Sequence, residues 1–232
     1  MRNLIFKDIE RFRYERKYFV DELSKEKVEA ILKCHPAIFS EIYSQRYVNN
    51  IYFDTINMRS YLDNKDGVSE RVKVRIRWYG DLFRKIQAPV LELKIKHNMH
   101  VGKRSYPLKP FALDHDLSLD AVQEIFQESD LPDFLRVHLK KLSFALLNRY
   151  SRRYFLSADG HFRVTLDVGL ESYEIAPFQN TFLRKREDPN GTIIEFKYDQ
   201  NQNEMADRLT NVLPFRVSRS SKYIAGLENI EL

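Results

Sequence analysis

Cysteine is all but missing from this 232-residue chain, in which Cys34 is the only one. No disulfide can close within the chain, so the fold must rest on packing and polar contacts. Cys34 sits in "AILKCHP" at the end of an apolar helical stretch and is expected to be a buried structural thiol, not a nucleophile. Only 7 Gly and 8 Pro occur, too few for a low-complexity or disordered chain. No repeat of solenoid period is present. No window approaches the roughly 18 uninterrupted apolar residues of a spanning helix, and "MRNLIFKDIERFRYERKYFV" lacks the apolar segment of a secretory signal. A soluble, cytoplasmic protein with no membrane segment is expected.

Neither sign of charge dominates. The 38 Lys+Arg stand against 33 Asp+Glu, for a net charge of +5. That modest excess points to an anionic partner, and its distribution matters more than its sum. With 43% hydrophobic and 13% aromatic residues, the chain can bury a sizeable core, and one domain over residues 1–232 is the natural expectation.

What the sequence has in abundance is alternation. Residues 71–80, "RVKVRIRWYG", place Arg71, Lys73, Arg75 and Arg77 on one face and Val72, Val74 and Ile76 on the other. Period two with β-branched apolar members predicts a strand. Cations two residues apart lie roughly 7 Å from each other and repel by about 0.6 kcal/mol in bulk water, or about 2.4 kcal/mol at an effective dielectric of 20. Alone, the row reads more readily as a solvated face than as an anion-binding wall.

The pattern recurs. "FRYERKYFV" sets Phe12, Tyr14, Arg16 and Tyr18 against Arg13, Glu15, Lys17 and Phe19, and "PVLELKIKHN" sets Leu91, Leu93 and Ile95 against Glu92, Lys94 and Lys96. "VGKRSYPL" reads as its hairpin partner. "LNRYSRRYFLS" and "HFRVTLDVGL", joined by "ADG", form a second hairpin with Arg163, Thr165 and Asp167 on one face. "GTIIEFKY" sets Ile194 and Phe196 against Ile193, Glu195 and Lys197.

Helical spacing appears at Leu23, Val28, Ile31 and Leu32, in "INMRSYLDN" capped by Asp54 or Thr55, and in two C-terminal segments, "NEMADRLTNV" and "SSKYIAGLENIEL". Residues 111–146, broken at Pro132, read as an inserted helical pair. The fold class is therefore α+β. Closing the strands into an antiparallel β-barrel with helices packed outside would put Arg, Lys and Glu inside, making a tunnel for a polyanion. Phosphate oxygens would relieve the repulsion, and the interleaved glutamates could hold a hard divalent ion.

The ordered set "ERKYFV", "YFDT", "VRIRWYG", "LELKIK", "KRS", "YSRRYF", "FRVTLD", "IIEFKY" and "SSKY" resembles the VTC-type polyphosphate polymerase domain of the triphosphate tunnel superfamily, which also contains the CYTH enzymes. The resemblance runs from about residue 11 to 226. It implies that Lys17, Arg75, Arg77, Lys94, Lys103, Arg152, Arg163 and Lys222 grip phosphates, with Arg104, Lys197 and Ser221 in matching motifs. Arg75, Arg77, Lys94, Arg152, Arg163 and Lys222 are the implied catalytic set. Glu195 is the implied metal carboxylate for Mn²⁺ or Mg²⁺, with Glu15 or Glu92 as a second.

The implied activity is transfer of the terminal phosphoryl group of a nucleoside triphosphate, ATP in the first instance, onto polyphosphate. Hydrolytic CYTH relatives open with Glu-x-Glu-x-Lys, whereas "RYERK" offers Arg13, Glu15 and Lys17, which suits the polymerase branch. A triphosphatase and a non-catalytic polyphosphate-binding module are the alternatives. His97 and His100 lack a third ligand at metal spacing and read as loop residues. Trp78 and Tyr79 could stack on bases, but no nucleic-acid signature accompanies them, and no nucleic-acid partner is expected.

Overall fold

The alternating segments become strands of one curled antiparallel sheet in this computed structural model, which describes residues 13–97 and 100–231. Phe12 and the His100 side chain lie outside the described residues. Strand β1 is Tyr14–Val20, β2 is Ser40–Asp54, β3 is Glu70–Tyr79, β5 is Val90–His97 and β6 is His100–Pro107. In the second half come β8 (Ser143–Leu156), β9 (Arg163–Tyr173), β10 (Lys185–Asp188) and β11 (Thr192–Tyr198). The sheet order is β1-β11-β9-β8-β2-β3-β5-β6, with β10 beside β9. Its two edges meet at one antiparallel bridge, in which Arg13 N–H donates to the Val101 carbonyl at 3.1 Å and Val101 N–H returns the bond at 3.2 Å. The sheet is thus barrel-like without a continuous closing ladder among the described residues.

Its apolar face points outward, so the core is a shell around the sheet. Val74, Ile76 and Trp78 of β3 and Leu91, Leu93 and Ile95 of β5 pack under Val122, Phe126, Leu135 and Leu139. These last four belong to helices α3 (Leu119–Glu128) and α4 (Asp133–Leu139), the first capped by Ser118 Oγ, which accepts from Ala121 N–H at 3.1 Å. The helical stretch expected over 111–146 is shorter than that. Phe111–Leu113 forms strand β7 against β4 (Arg84–Ile86), because Phe111 and Leu113 are buried on either side of exposed Ala112, and from Ser143 the chain is already β8. Trp78 is buried in this core, which leaves its indole no face for a base.

The opposite flank packs Tyr18, Ile194, Phe196, Val164 and Phe155 against α1 (Lys25–Lys33) and α5 (Asn203–Asn211). Cys34 is exposed, contrary to expectation. Val28 and Leu32 define the buried stripe of α1, and the next position on that stripe is His35. His35 Nδ1 accepts from Ala37 N–H at 3.1 Å, which leaves Nε2 to donate to the Leu209 carbonyl at 2.9 Å.

Buried Asp54, at the end of β2, organises the turn into α2 (Arg59–Lys65). Its Oδ1 accepts from Thr55 and Ser60 N–H, each at 2.8 Å, and its Oδ2 from Tyr61 N–H at 2.9 Å and Tyr223 Oη at 2.6 Å. Thr55 Oγ1 accepts from Arg59 N–H at 3.1 Å, so both residues expected as alternative caps act together. Through Tyr223, Asp54 also anchors α6 (Lys222–Glu231), the last helix. Asp54→Ala strands several buried donors and should lower unfolding free energy by about 2–4 kcal/mol, measured as a shift of the urea midpoint. A shift within error would mean water satisfies those donors.

Candidate functional site

The inward face of the sheet borders a cavity of about 810 Å³. β3 supplies Lys73, Arg75 and Arg77 at period two; β1 supplies Glu15 and Lys17; β5 supplies Lys94; β6 supplies Lys103 and Arg104. Arg152 comes from β8, Arg163 from β9, Glu195 and Lys197 from β11, and Ser221 and Lys222 from the start of α6. Every cation expected from the sequence to meet phosphate therefore borders one space, as do Ser221, Glu15 and Glu195. Arg71 does not border it, and its Nη1 donates to the Val68 carbonyl at 2.8 Å.

Four carboxylates hold these cations in place. Buried Glu92 lies behind the wall and takes Arg75 at 2.6 Å, Arg77 at 3.3 Å and Lys103 at 3.1 Å. Burial alone would raise its pKa, but these three cations hold it well below the usual carboxylate range. Asp167 takes Arg152 Nε and Nη2 at 2.5 and 2.6 Å and Lys222 at 2.5 Å. Beside it Glu195 meets Lys197 at 2.7 Å, Lys17 and Lys222 at 3.3 Å, and Arg152 at 3.5 Å. Glu15 meets Lys94 at 3.0 Å; burial raises its pKa, yet the lysines around it bring it down to about 2.

The ions outnumber their partners. Twelve Lys and Arg border the cavity, and among the described residues five carboxylates touch them, namely Glu15, Glu92, Asp167, Glu195 and, beside Arg13, Asp199. Lys73 has no carboxylate within ion-pair distance among the described residues; its Nζ donates to Ser221 Oγ at 2.8 Å. Burial and then the charges of Lys17, Lys94, Arg71 and Arg75 push its pKa well down.

Sequence reasoning missed the neutral half of the wall. Arg75 Nη1 donates to Tyr52 Oη at 3.1 Å, Arg77 Nε to Asn50 Oδ1 at 3.0 Å and Arg77 Nη2 to Tyr150 Oη at 3.2 Å. Asn148 backs Asn50 by accepting from its Nδ2 at 2.9 Å. Asn50 and Tyr52 alternate with Ile51 and Phe53, and Tyr150 lies two residues before Arg152, so strand period alone carried the signal.

No group of three His, Cys, Asp or Glu positioned to hold a metal exists among the described residues. His97 Nδ1 meets Glu70 at 3.0 Å instead. Glu15 Oε1 is nonetheless buried without a hydrogen bond, with Lys17 and Lys197 only at 3.9 and 3.8 Å. Glu195 stands diagonally across the β1–β11 pair from it. The donor set fits an ion shared with phosphate oxygens and water, not one caged by protein.

A barrel-like antiparallel sheet with cations inside and helices outside defines a triphosphate-tunnel fold. Among solved structures, a putative adenylyl cyclase from Hippeastrum, described as having a dominant triphosphatase activity, is 15% identical with TM-score 0.53, over 93% of this chain and 95% of that one. A putative adenylate cyclase from Vibrio parahaemolyticus is 14% identical with TM-score 0.53, over 93% and 98%. A conserved hypothetical protein from Pyrococcus furiosus is 12% identical with TM-score 0.51, over 91% and 98%. No curated protein sequence matches. The VTC domain family matches residues 12–230, and the chain belongs to that family.

Lys94 gives the site a pH dependence. Burial lowers its pKa and Lys17 and Lys197 add to this against Glu15 and Glu195, bringing it from 10.5 to about 8. Above that pH it is neutral in the free protein and offers phosphate no charge, so anion binding should take up protons and weaken as pH rises from 7 to 9. Calorimetry with triphosphate should record this, and Lys94→Arg, always charged, should make the decline shallower. An identical decline in parent and variant would assign the titration to another group.

Proposed function

We propose that the chain is a metal-dependent polyphosphate polymerase, moving the terminal phosphoryl group of a nucleoside triphosphate, ATP in the first instance, onto a polyphosphate chain. The observation that carries this reading is the convergence of twelve Lys and Arg side chains on one cavity. A nucleoside triphosphate brings about four negative charges, at roughly one per phosphate and up to two on the last. A donor of that size would not engage all the cations spread over β1, β3, β5, β6, β8, β9, β11 and α6, and an acceptor of several further phosphates would engage the rest. Membership of the VTC family supports the same reading.

Phosphoryl transfer is mostly positioning and charge stabilisation, so the acceptor's terminal oxygen can attack in line without a protein nucleophile. Arg75 and Arg77, pre-set by Glu92, Tyr52, Asn50 and Tyr150, would clamp donor phosphates with forked hydrogen bonds. Arg152 and Lys222 share Asp167 and Glu195 and would orient the group in transfer. Lys94, Lys103 and Arg163, the last two at the exposed edge of the cavity, would align the acceptor. Glu195, with Glu15, would hold Mn²⁺ or Mg²⁺. When bound, such an ion supplies charge neutralisation for phosphate oxygens.

A second reading is a triphosphatase in which water takes the acceptor's place, favoured by the activity described for the Hippeastrum protein. Incubation with ATP and Mn²⁺, followed by separation of long polyphosphate from free phosphate, tests both. Polymer is expected. Phosphate alone would make the chain a hydrolase, and unchanged ATP a binding module.

Glu195→Gln keeps shape and removes a charge. Metal-dependent turnover should fall at least about 100-fold, while triphosphate binding in chelator should persist or tighten because a nearby anion has gone. Near-normal turnover would move the metal carboxylate to Glu15 or Glu92.

A further inference from the structure

One end of the tunnel carries groups that phosphate binding does not use. Tyr79 ends β3 two residues beyond Arg77, and Tyr154 lies two residues beyond Arg152 on β8. Each is thus about 7 Å along its strand from a tunnel arginine. Tyr43 of β2 pairs with Tyr154, their rings edge to face at 5.6 Å. Among the three rings lies the guanidinium of Arg46, 4.5 Å from the centroid of Tyr79, 4.7 Å from Tyr154 and 5.2 Å from Tyr43.

No carboxylate of the described residues forms an ion pair with Arg46, and its Nε is buried without a hydrogen-bond partner. Aromatic faces, not a counter-charge, hold this cation. Tyr43 and Tyr79 nevertheless stay 54% and 49% exposed, and both border the cavity. The far end differs. There Tyr223, Leu227 and Ile230 of α6 pack on Tyr52 and Leu146.

We propose that the Tyr43–Arg46–Tyr79–Tyr154 rim is the nucleoside subsite, where the base of the phosphoryl donor stacks while its triphosphate runs inward along Arg77 and Arg152. The inference rests on the tunnel binding a nucleoside triphosphate. Aromatic and guanidinium planes stack on any base. The described residues of the rim present mainly ring and guanidinium planes, so it would separate nucleoside triphosphates from inorganic triphosphate more sharply than one base from another.

Calorimetry in chelator with ATP and with inorganic triphosphate tests this through the ratio of the two affinities. In the double variant Tyr43→Ala/Tyr79→Ala the ratio should shift against ATP by roughly ten-fold, and Tyr79→Trp alone should hold or improve it. An unchanged ratio in the double variant, with both ligands still bound, overturns the subsite and leaves the tunnel reading intact. If the parent binds neither ligand, the tunnel reading fails and the subsite with it.

Discussion

Four inward-facing carboxylates make it possible for a β-sheet to enclose a field of cations. Glu92, Asp167, Glu195 and Glu15 are buried, and each is shared by two or more lysines or arginines. Sharing lowers the carboxylate pKa values and keeps most of the cations charged at neutral pH. Without these anions, neighbouring cations at strand spacing would repel in a space where water screens them poorly. The same spacing forces the apolar residues to the outside, so this protein needs its helices as a cover for the sheet.

The last helix couples that electrostatic arrangement to the fold. Lys222 opens α6 and reaches Asp167 and Glu195, while Tyr223 returns to Asp54 at the root of α2. Its close seat depends on Gly226, where a Cβ would come within 2.5 Å of Leu146 Cδ2 and 2.9 Å of Ser172 Oγ. A larger residue there would force the buried side chains of Leu146 and Ser172 to shift. The cavity-lining Lys222 and the seat of the last helix are therefore one structural feature.

The tunnel is also uneven in its charge balance. Glu92 and Asp167 neutralise the arginines that need rigid, directional geometry, whereas Lys73 is held by a hydroxyl and Lys94 by one glutamate. Arginine keeps its proton in either setting, but lysine does not. The proposed transfer uses this division: fixed arginines orient the phosphates, and lysines with depressed pKa values regain full charge when the polyanion arrives.

Strand identity and facing were legible in the sequence, because alternation is a local property and each of β1, β3, β5, β9 and β11 carried it. The cation rows and Glu195 followed from that period together with a family resemblance. Local reading erred where neighbours decided the outcome. Cys34 follows apolar residues yet falls off the buried stripe of α1, and Phe111–Leu113 became strand by pairing with β4. Tyr52, Asn50 and Tyr150 drew no notice because neutral side chains on a strand signal nothing until an arginine from the next strand meets them. Which carboxylate faces which cation was beyond the sequence altogether: Arg152 and Asp167 are 15 positions apart, Lys222 and Glu195 27. Only the register of β8 on β9 and the seat of α6 bring those charges within 4 Å, and ionic contact depends on distance in space, which sequence separation does not encode.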